Sequence, residues 1–302
     1  MRILVLGHSG YLGGHVAREL RALPGVRFFG AGRGPTSDLV VDLSTTTPGP
    51  LAERLFAFAP DAVINCAGAV GPQAVALAEA NVRGPAVLCA ALREAAPTAR
   101  LVHFGSAAEY GPSRIGERVT EDSPACPTTL YGATKLAGTV AVTSSGLDAV
   151  VLRITNPVGP GAPAAGLPGR LARRLRDLGP RSSIRLGDLS AHRDFVDVRD
   201  VAHAAVLAAT SGGPLPSVLN ISRGQAVPVR ELAHALARAA GFGGRIEENA
   251  EGSARSADVP WQCSDPAAAH TTLDWTPRHG LDDSVAALWA AVRAEPDREP
   301  VH

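Results

Sequence analysis

Lysine is nearly missing from this chain: Lys135 stands alone among 302 residues, against 28 arginines. Net charge is missing as well, with 29 basic and 29 acidic residues, so nothing electrostatic recruits nucleic acid or an anionic membrane. Cysteines are few and scattered. Cys66, Cys89, Cys126 and Cys263 show neither a CxxC pair nor a Cys/His metal spacing, so no metal site is expected and free thiols fit a reducing compartment. Met1-Arg2-Ile3-Leu4-Val5-Leu6 runs straight into a glycine turn with no signal-peptide apolar segment, and no apolar run of membrane length follows. The expectation is a cytoplasmic protein. Hydrophobic content of 45% with 4% aromatics reads as globular, and the length suits one large α/β domain or a domain with an attached lobe.

The lone lysine has a telling neighbour. It follows Tyr131 by four positions in Leu130-Tyr131-Gly132-Ala133-Thr134-Lys135, and on a helix residues i and i+4 share a face. A compact ammonium there stabilises the phenolate of a group whose ordinary pKa is near 10, which makes Tyr131 a usable proton donor or acceptor near neutral pH. A guanidinium is no substitute for such a point charge. A surface lysine that merely follows a tyrosine is the alternative.

Ile3 to Leu6 is a continuous apolar run of the kind buried on both faces of a parallel sheet. It delivers Gly7-His8-Ser9-Gly10-Tyr11-Leu12-Gly13 and then a helical pattern over 15–20. In G-x-x-G-x-x-G the first glycine permits the turn, the second lets backbone approach a pyrophosphate and the third lets the helix pack on the strand. The helix N-terminus then offers free N–H groups to the phosphates, so Ser9, Tyr11 and Leu12 are counted with the glycines as cofactor-binding. A second strand over 26–32 ends at Arg33, where an acidic residue would hold the ribose of NAD; arginine fits a 2′-phosphate and favours NADP(H), or stacks on the adenine. Further strands are expected over 39–43, 62–68 and 100–106, with helices over 72–80 and 84–96. Asp42 and Leu43 lie where the adenine would sit, and Cys66, Ala67 and Gly68 where the cofactor passes close to backbone; each is equally an ordinary strand-end residue. Repeated βα units give a doubly wound parallel α/β sheet of Rossmann type, with ligands beyond the carboxyl ends of its strands.

With Gly7, Gly10, Gly13, Ser106, Tyr131 and Lys135 in this order, the chain resembles the extended short-chain dehydrogenase/reductase family of nucleotide-sugar epimerases, dehydratases and ketoreductases, nearly end to end. Asn81-Val82-Arg83-Gly84 opens a helix as it does in that family. Phe104 to Gly111 is similar to its serine or threonine strand, and Arg153 to Gly161 to its Arg-x-x-Asn-x-x-Gly-Pro-Gly segment. The stretch His192 to Ala202 resembles its Arg-Asp-aromatic signature, and Arg255 to Pro260 its late Arg-x-x-Asp-x-Pro. The resemblance implies that Ser106 hydrogen-bonds the reacting oxygen, Tyr131 transfers the proton, and Lys135 tunes it and grips the nicotinamide ribose. It also places Asn81 among the cofactor-binding residues, and Asn156, Arg193 and Arg255 on the nucleotide diphosphate of a small-molecule sugar substrate. The alternative for each arginine is a surface ion pair, with Asp194 or Asp258.

Departures from the family's pattern narrow the activity. Its 4,6-dehydratases carry an Asp-Glu pair after the serine or threonine, where this chain has Ala107 and Ala108 beside the substrate, so dehydration loses its acid and base. The expectation is an NADPH-dependent reductase of a nucleotide-linked 4-keto-6-deoxy sugar; the alternatives are an epimerase that retains NAD and a non-catalytic NADP(H)-binding regulator. A homodimer is compatible with all three. The expected organisation is a cofactor domain of residues 1–155 with a returning segment near 192–222, and a smaller discontinuous α/β lobe from 156–191 and 223–302.

Overall fold

A computed structural model describes residues 1–178, 182–248 and 259–296. Its main sheet is built from β1 (Arg2–Leu6), β2 (Arg27–Gly32), β3 (Leu39–Val40), β4 (Ala62–Asn65), β5 (Arg100–Ser106), β6 (Ala149–Ile154) and, after a lobe excursion, a strand at Val218–Ile221. All pairings are parallel. The continuous apolar runs have a direct cause. Ile3 and Val5 enter one buried cluster while Leu4 and Leu6 enter the other, because successive side chains leave opposite faces of a strand. Helices α1 (Tyr11–Ala22) and Val198–Thr210 cover the first face; α2 (Pro48–Phe58), α4 (Gly84–Ala95) and α5 (Leu130–Thr143) cover the second.

From β1 the sheet grows toward β2 and β3 on one side and toward β4, β5 and β6 on the other, with Val218–Ile221 outermost. That reversal makes a crevice between the ends of β1 and β4, the place where ligands bind in such sheets. The glycine turn leaves β1 there and Cys66-Ala67-Gly68 leaves β4.

The expected helices over 72–80 and 84–96 are one helical run. Between α3 (Ala74–Ala78) and α4 the chain makes a π-helical turn, Glu79–Arg83, so Asn81 lies inside the run and does not open a helix. By length and composition alone, Ala74–Ala95 would pass for a membrane span, contrary to the reading of the sequence, but half of the apolar window is buried within the fold. The third strand is also shorter than 39–43: Asp42 leaves the ladder because its carboxylate accepts the backbone N–H and hydroxyl of Ser44, an Asx turn that competes with sheet pairing.

In the lobe, β7 (Asn156–Val158), β8 (Ser183–Leu186) and β9 (His192–Asp197) precede the outermost sheet strand, now β10, and β11 (Ala226–Pro228), β12 (Arg245–Glu248) and β13 (Trp261–Gln262) follow it. Strand β9 pairs with β7, β11 and β13, and β8 pairs with β12. Helices α6 (Leu167–Asp177), α8 (Val229–Ala239) and a final one at Leu281–Arg293 bury Leu171, Leu232 and Leu288 in a third cluster. We propose the two expected units with one amendment: β9 pairs only with lobe strands, so the segment returning to the cofactor unit starts at Val198.

Candidate functional site

The site is built where several segments converge. In the glycine turn, Gly7 has φ +75° and its N–H donates to the Ala31 carbonyl at 2.8 Å. A Cβ on Gly13 would stand 2.1 Å from the Gly7 carbonyl oxygen, so only glycine allows α1 to start this close to β1. Gly10 is the exposed N-cap of α1 and supplies no side-chain cap, which leaves the first turn's N–H groups, those of Tyr11 and Leu12 included, without the cap a Ser or Asp would provide. Ser9 beside it is exposed. A dinucleotide's phosphates fit such a cradle.

Tyr11 is a partial correction. Its ring packs against the lobe cluster beside Gly161, its hydroxyl is buried without a partner, and burial pushes its pKa up. Only its backbone is left for a phosphate. His15, one turn on, meets the Pro160 carbonyl at 2.9 Å, so the loop leading into the lobe rests directly on the phosphate turn.

Arg33 follows β2 and is exposed; its positive charge, after the Ser44 hydrogen bonds, helps hold the Asp42 carboxyl below its ordinary range. Leu43 is buried against Gly84, while its carbonyl and those of Ser44 and Thr46 accept from the Arg83 guanidinium. Arg83 therefore fixes the 43–46 loop from the π turn, a function its sequence position did not reveal.

On the β4 side, Cys66 donates its N–H to Leu6 and burial drives its thiol pKa well up. A Cβ on Gly68 would lie 3.1 Å from Asn81 Oδ1 and 3.9 Å from Lys135 Nζ. The Asn81 amide accepts from the Ala69 N–H and donates to the Ala69 carbonyl and to Thr134 Oγ1. That spends both of its N–H donors, so Asn81 bolts the 68–69 loop to α5.

Helix α5 is clamped at two glycines. A Cβ on Gly132 would sit 2.4 Å from the Ala108 carbonyl, and one on Gly138 2.1 Å from the Asn81 carbonyl. Gly132 thus brings its neighbour Tyr131, which is half-buried, against the turn that follows Ser106. Gly138 seats the buried Lys135 against the end of β5, where Nζ donates to the Phe104 carbonyl. Burial lowers the Lys135 pKa to about 8, partly offset by the negative charge of Glu109.

Ser106 ends β5 and caps the 3₁₀ turn Ala107–Glu109: its Oγ accepts from the Ala108 N–H at 3.2 Å, while the Ser106 N–H donates to Glu109 Oε1 at 2.7 Å. A hydroxyl that accepts in the cap keeps its own proton free to donate to a substrate oxygen. Ala107 is a correction, since it is buried against Tyr110 and Val119 and not turned to a ligand; Ala108 is half-exposed. Glu109 was missed as a site residue, although Ser106-x-x-Glu109 is a capping-box spacing.

Across the crevice, Asn156 Nδ2 donates to the Asp194 carbonyl and to Gln262 Oε1 at 2.9 Å, and Gln262 pairs in register with Arg193. Asn156, Arg193 and Gln262 form one patch on neighbouring strands. The ion pair considered for Arg193 with Asp194 is not made: Asp194 is fully buried, taking the N–H groups of Arg223 and Gly224, and burial raises its pKa to about 6. Among the described residues no carboxylate lies within ion-pair range of the Arg193 guanidinium, whose N–H bonds the His192 carbonyl. Arg255 and Asp258 fall outside the described residues. No group of three or more His, Cys, Asp or Glu able to hold a metal occurs among the described residues.

Comparison with known proteins agrees with this geometry. The model of the NAD dependent epimerase/dehydratase family matches residues 3–222. The chain is 34% identical to a dTDP-6-deoxy-L-talose 4-dehydrogenase (NAD(P)(+)) of Kitasatospora kifunensis, covering 98% of this chain and 96% of that protein. Among solved structures it is similar to the UDP-glucose 4-epimerase of Thermus thermophilus in complex with NAD, with TM-score 0.83, 27% identity, and coverage of 97% and 99% of the two chains. It shares its fold with RMD from Pseudomonas aeruginosa complexed with NADPH, at TM-score 0.84, 24% identity, and coverage of 97% and 99%.

Proposed function

Because the chain belongs to the NAD dependent epimerase/dehydratase family, and so is an enzyme of nucleotide sugars that uses NAD(P), we propose that it is an NADPH-dependent reductase of a nucleotide-linked 4-keto-6-deoxyhexose. The observation that carries the reading is the end-to-end likeness to a 4-dehydrogenase that acts on a dTDP-linked 6-deoxy sugar: oxidation of a C4 hydroxyl and reduction of a 4-ketone are one transfer in two directions. Thymidine diphosphate is accordingly the nucleotide to try first.

Reduction needs a hydride at carbon and a proton at oxygen. The nicotinamide supplies the hydride when bound. Ser106 donates a hydrogen bond to the ketone oxygen and orients it, and the Tyr131 hydroxyl gives that oxygen its proton. The Lys135 ammonium stabilises the phenolate left behind. Arg193 holds the diphosphate from the lobe, where a half-buried guanidinium fork suits phosphate oxygens, and Asn156, whose two N–H donors are taken, has its Oδ1 left to accept from a sugar hydroxyl. No carboxyl acid or base stands at Ala107 or Ala108 to expel water from the sugar, which supports reduction over dehydration.

Preference for NADP(H) rests on Arg33. Arg33→Ala should weaken NADPH binding by about 1.5–3 kcal/mol, the range for a charge-assisted hydrogen bond, and leave NADH binding nearly unchanged, as read by fluorescence titration of both cofactors. Equal loss for both would make Arg33 an adenine-stacking or structural residue.

A 4-epimerase is the second reading, favoured by the likeness to the Thermus enzyme and by 28% identity to a Burkholderia thailandensis dTDP-L-rhamnose 4-epimerase over 57% of this chain. The two make opposite predictions. A reductase offered a dTDP-linked 4-keto-6-deoxyhexose consumes NADPH in step with product, whereas an epimerase purifies with NAD bound and interconverts a nucleotide hexose with no net change in the nicotinamide band. Redox-silent epimerisation would sink the reductase assignment.

A further inference from the structure

Glu109 is fully buried, and its surroundings are unusually complete. Oε1 accepts the Ser106 N–H at 2.7 Å. Oε2 accepts from Arg153 Nε and from Thr139 Oγ1, each at 2.8 Å. Arg153 is itself buried and lies over the Tyr110 ring, 4.5 Å from its centroid. A Cβ on Gly105 would stand 2.7 Å from Glu109 Oε1, so the carboxylate occupies the space left by the missing side chain. Thr139 follows Lys135 by four residues on α5, so Tyr131, Lys135 and Thr139 share one face of the helix, and the last of them grips Glu109.

We infer that Glu109 is a positioning residue for the reaction: its carboxylate sets the backbone of the Ser106 cap and, held by Thr139 one helical turn along α5 from Lys135, provides the buried counter-charge to that ammonium. The inference rests on the reading that Ser106, Tyr131 and Lys135 carry the chemistry, and is independent of which sugar nucleotide is reduced. Burying an anion among apolar strands is costly unless it is paired, and two cations, Arg153 and Lys135, share this one. The other titratable groups facing Lys135 are Cys66 beyond β4, His103 on β5 and Tyr131 on its own helix. Burial holds His103 neutral and the Cys66 thiol protonated, so Glu109 is the anion in the cluster. It favours the charged lysine against burial.

The single lysine makes the test direct. In protein labelled with isotope only in lysine, one side-chain resonance reports the Lys135 titration. In Glu109→Gln the midpoint should fall below the parent's by about one pH unit, because the anion that opposed desolvation is gone. Turnover with NADPH and keto sugar should drop on the order of 10-fold or more, its alkaline limb moving down in pH with the lysine, while the KM for NADPH stays within a few-fold. Glu109→Asp should restore part of both. Should the single variant not fold, Glu109→Gln combined with Arg153→Met removes both buried charges at once and should show the same direction with a smaller shift. A lysine midpoint unmoved in a folded variant overturns the inference, as does a drop in turnover that only tracks lost thermal stability. If the parent reduces no keto sugar, the proposed activity fails instead, and the lysine titration still decides the role of Glu109.

Discussion

Tyr131→Phe should lower turnover by roughly 10²–10⁴-fold, the usual loss on removing a general acid, while NADPH binding stays close to that of the parent. The asymmetry follows from where Tyr131 sits. It stands in the first turn of α5, carried against the Ser106 turn by the contact between Gly132 and the Ala108 carbonyl. The Thr129 hydroxyl caps that turn through the Gly132 N–H at 3.1 Å, so replacing a phenol by a phenyl disturbs neither cap nor contact. The phosphate turn, Arg33 and the Gly68 loop all lie on other elements and keep their geometry. Steady-state kinetics with a keto sugar, beside cofactor titration of the same preparation, separates the two effects. Activity within a few-fold of the parent would remove Tyr131 from the mechanism. Loss of cofactor affinity by a similar factor would make it a binding residue.

How far the sequence went depended on whether a residue acts through pattern or through contact. The parallel sheet was legible because strands buried on both faces read as unbroken apolar runs, as at Ile3 to Leu6 and Ala62 to Ile64. The glycine turn was legible because its spacing reflects sterics that hold wherever a helix begins this close to a strand. The π turn at Glu79–Arg83 was not: a one-residue shift in hydrogen bonding leaves no compositional mark, and it moves Asn81 from the start of a helix to its interior. Tyr11 and Ala107 misled for a related reason. Their side chains turn into the lobe cluster and into the contact with Tyr110, and sequence position does not specify that direction. Gln262 was invisible because it meets Asn156 only through a β13 to β9 pairing formed across a wide chain separation. Glu109 was readable in principle from its capping-box spacing, yet its partnership with Arg153 and Thr139 is tertiary.

Lys135→Met should make the protein more stable and nearly inactive. The ammonium is buried, and its pKa falls from an ordinary 10.5 to about 8, which corresponds to about 3 kcal/mol of cost at neutral pH for keeping the charge there. The sign follows from proton counts. Between pH 8 and 10.5 the unfolded chain holds a proton that the folded chain has released, so this group's contribution to stability rises with pH across that window; below pH 8 the folded state bears the whole penalty. A methionine of similar length carries no charge and escapes it, while leaving the Phe104 carbonyl without its donor, a loss of about 1 kcal/mol. The net expectation at pH 7 is a gain of about 2 kcal/mol, shrinking as pH approaches 10.5, read from denaturant midpoints at both ends of the range. Turnover should fall on the order of 10²-fold or more, since the phenolate of Tyr131 loses the charge that stabilises it. In the parent the same titration should appear as a fall in kcat/KM as pH rises through about 8. A variant less stable than the parent at pH 7 would show that the ammonium is a net structural asset and that its burial is more than repaid by Glu109 and the Phe104 carbonyl.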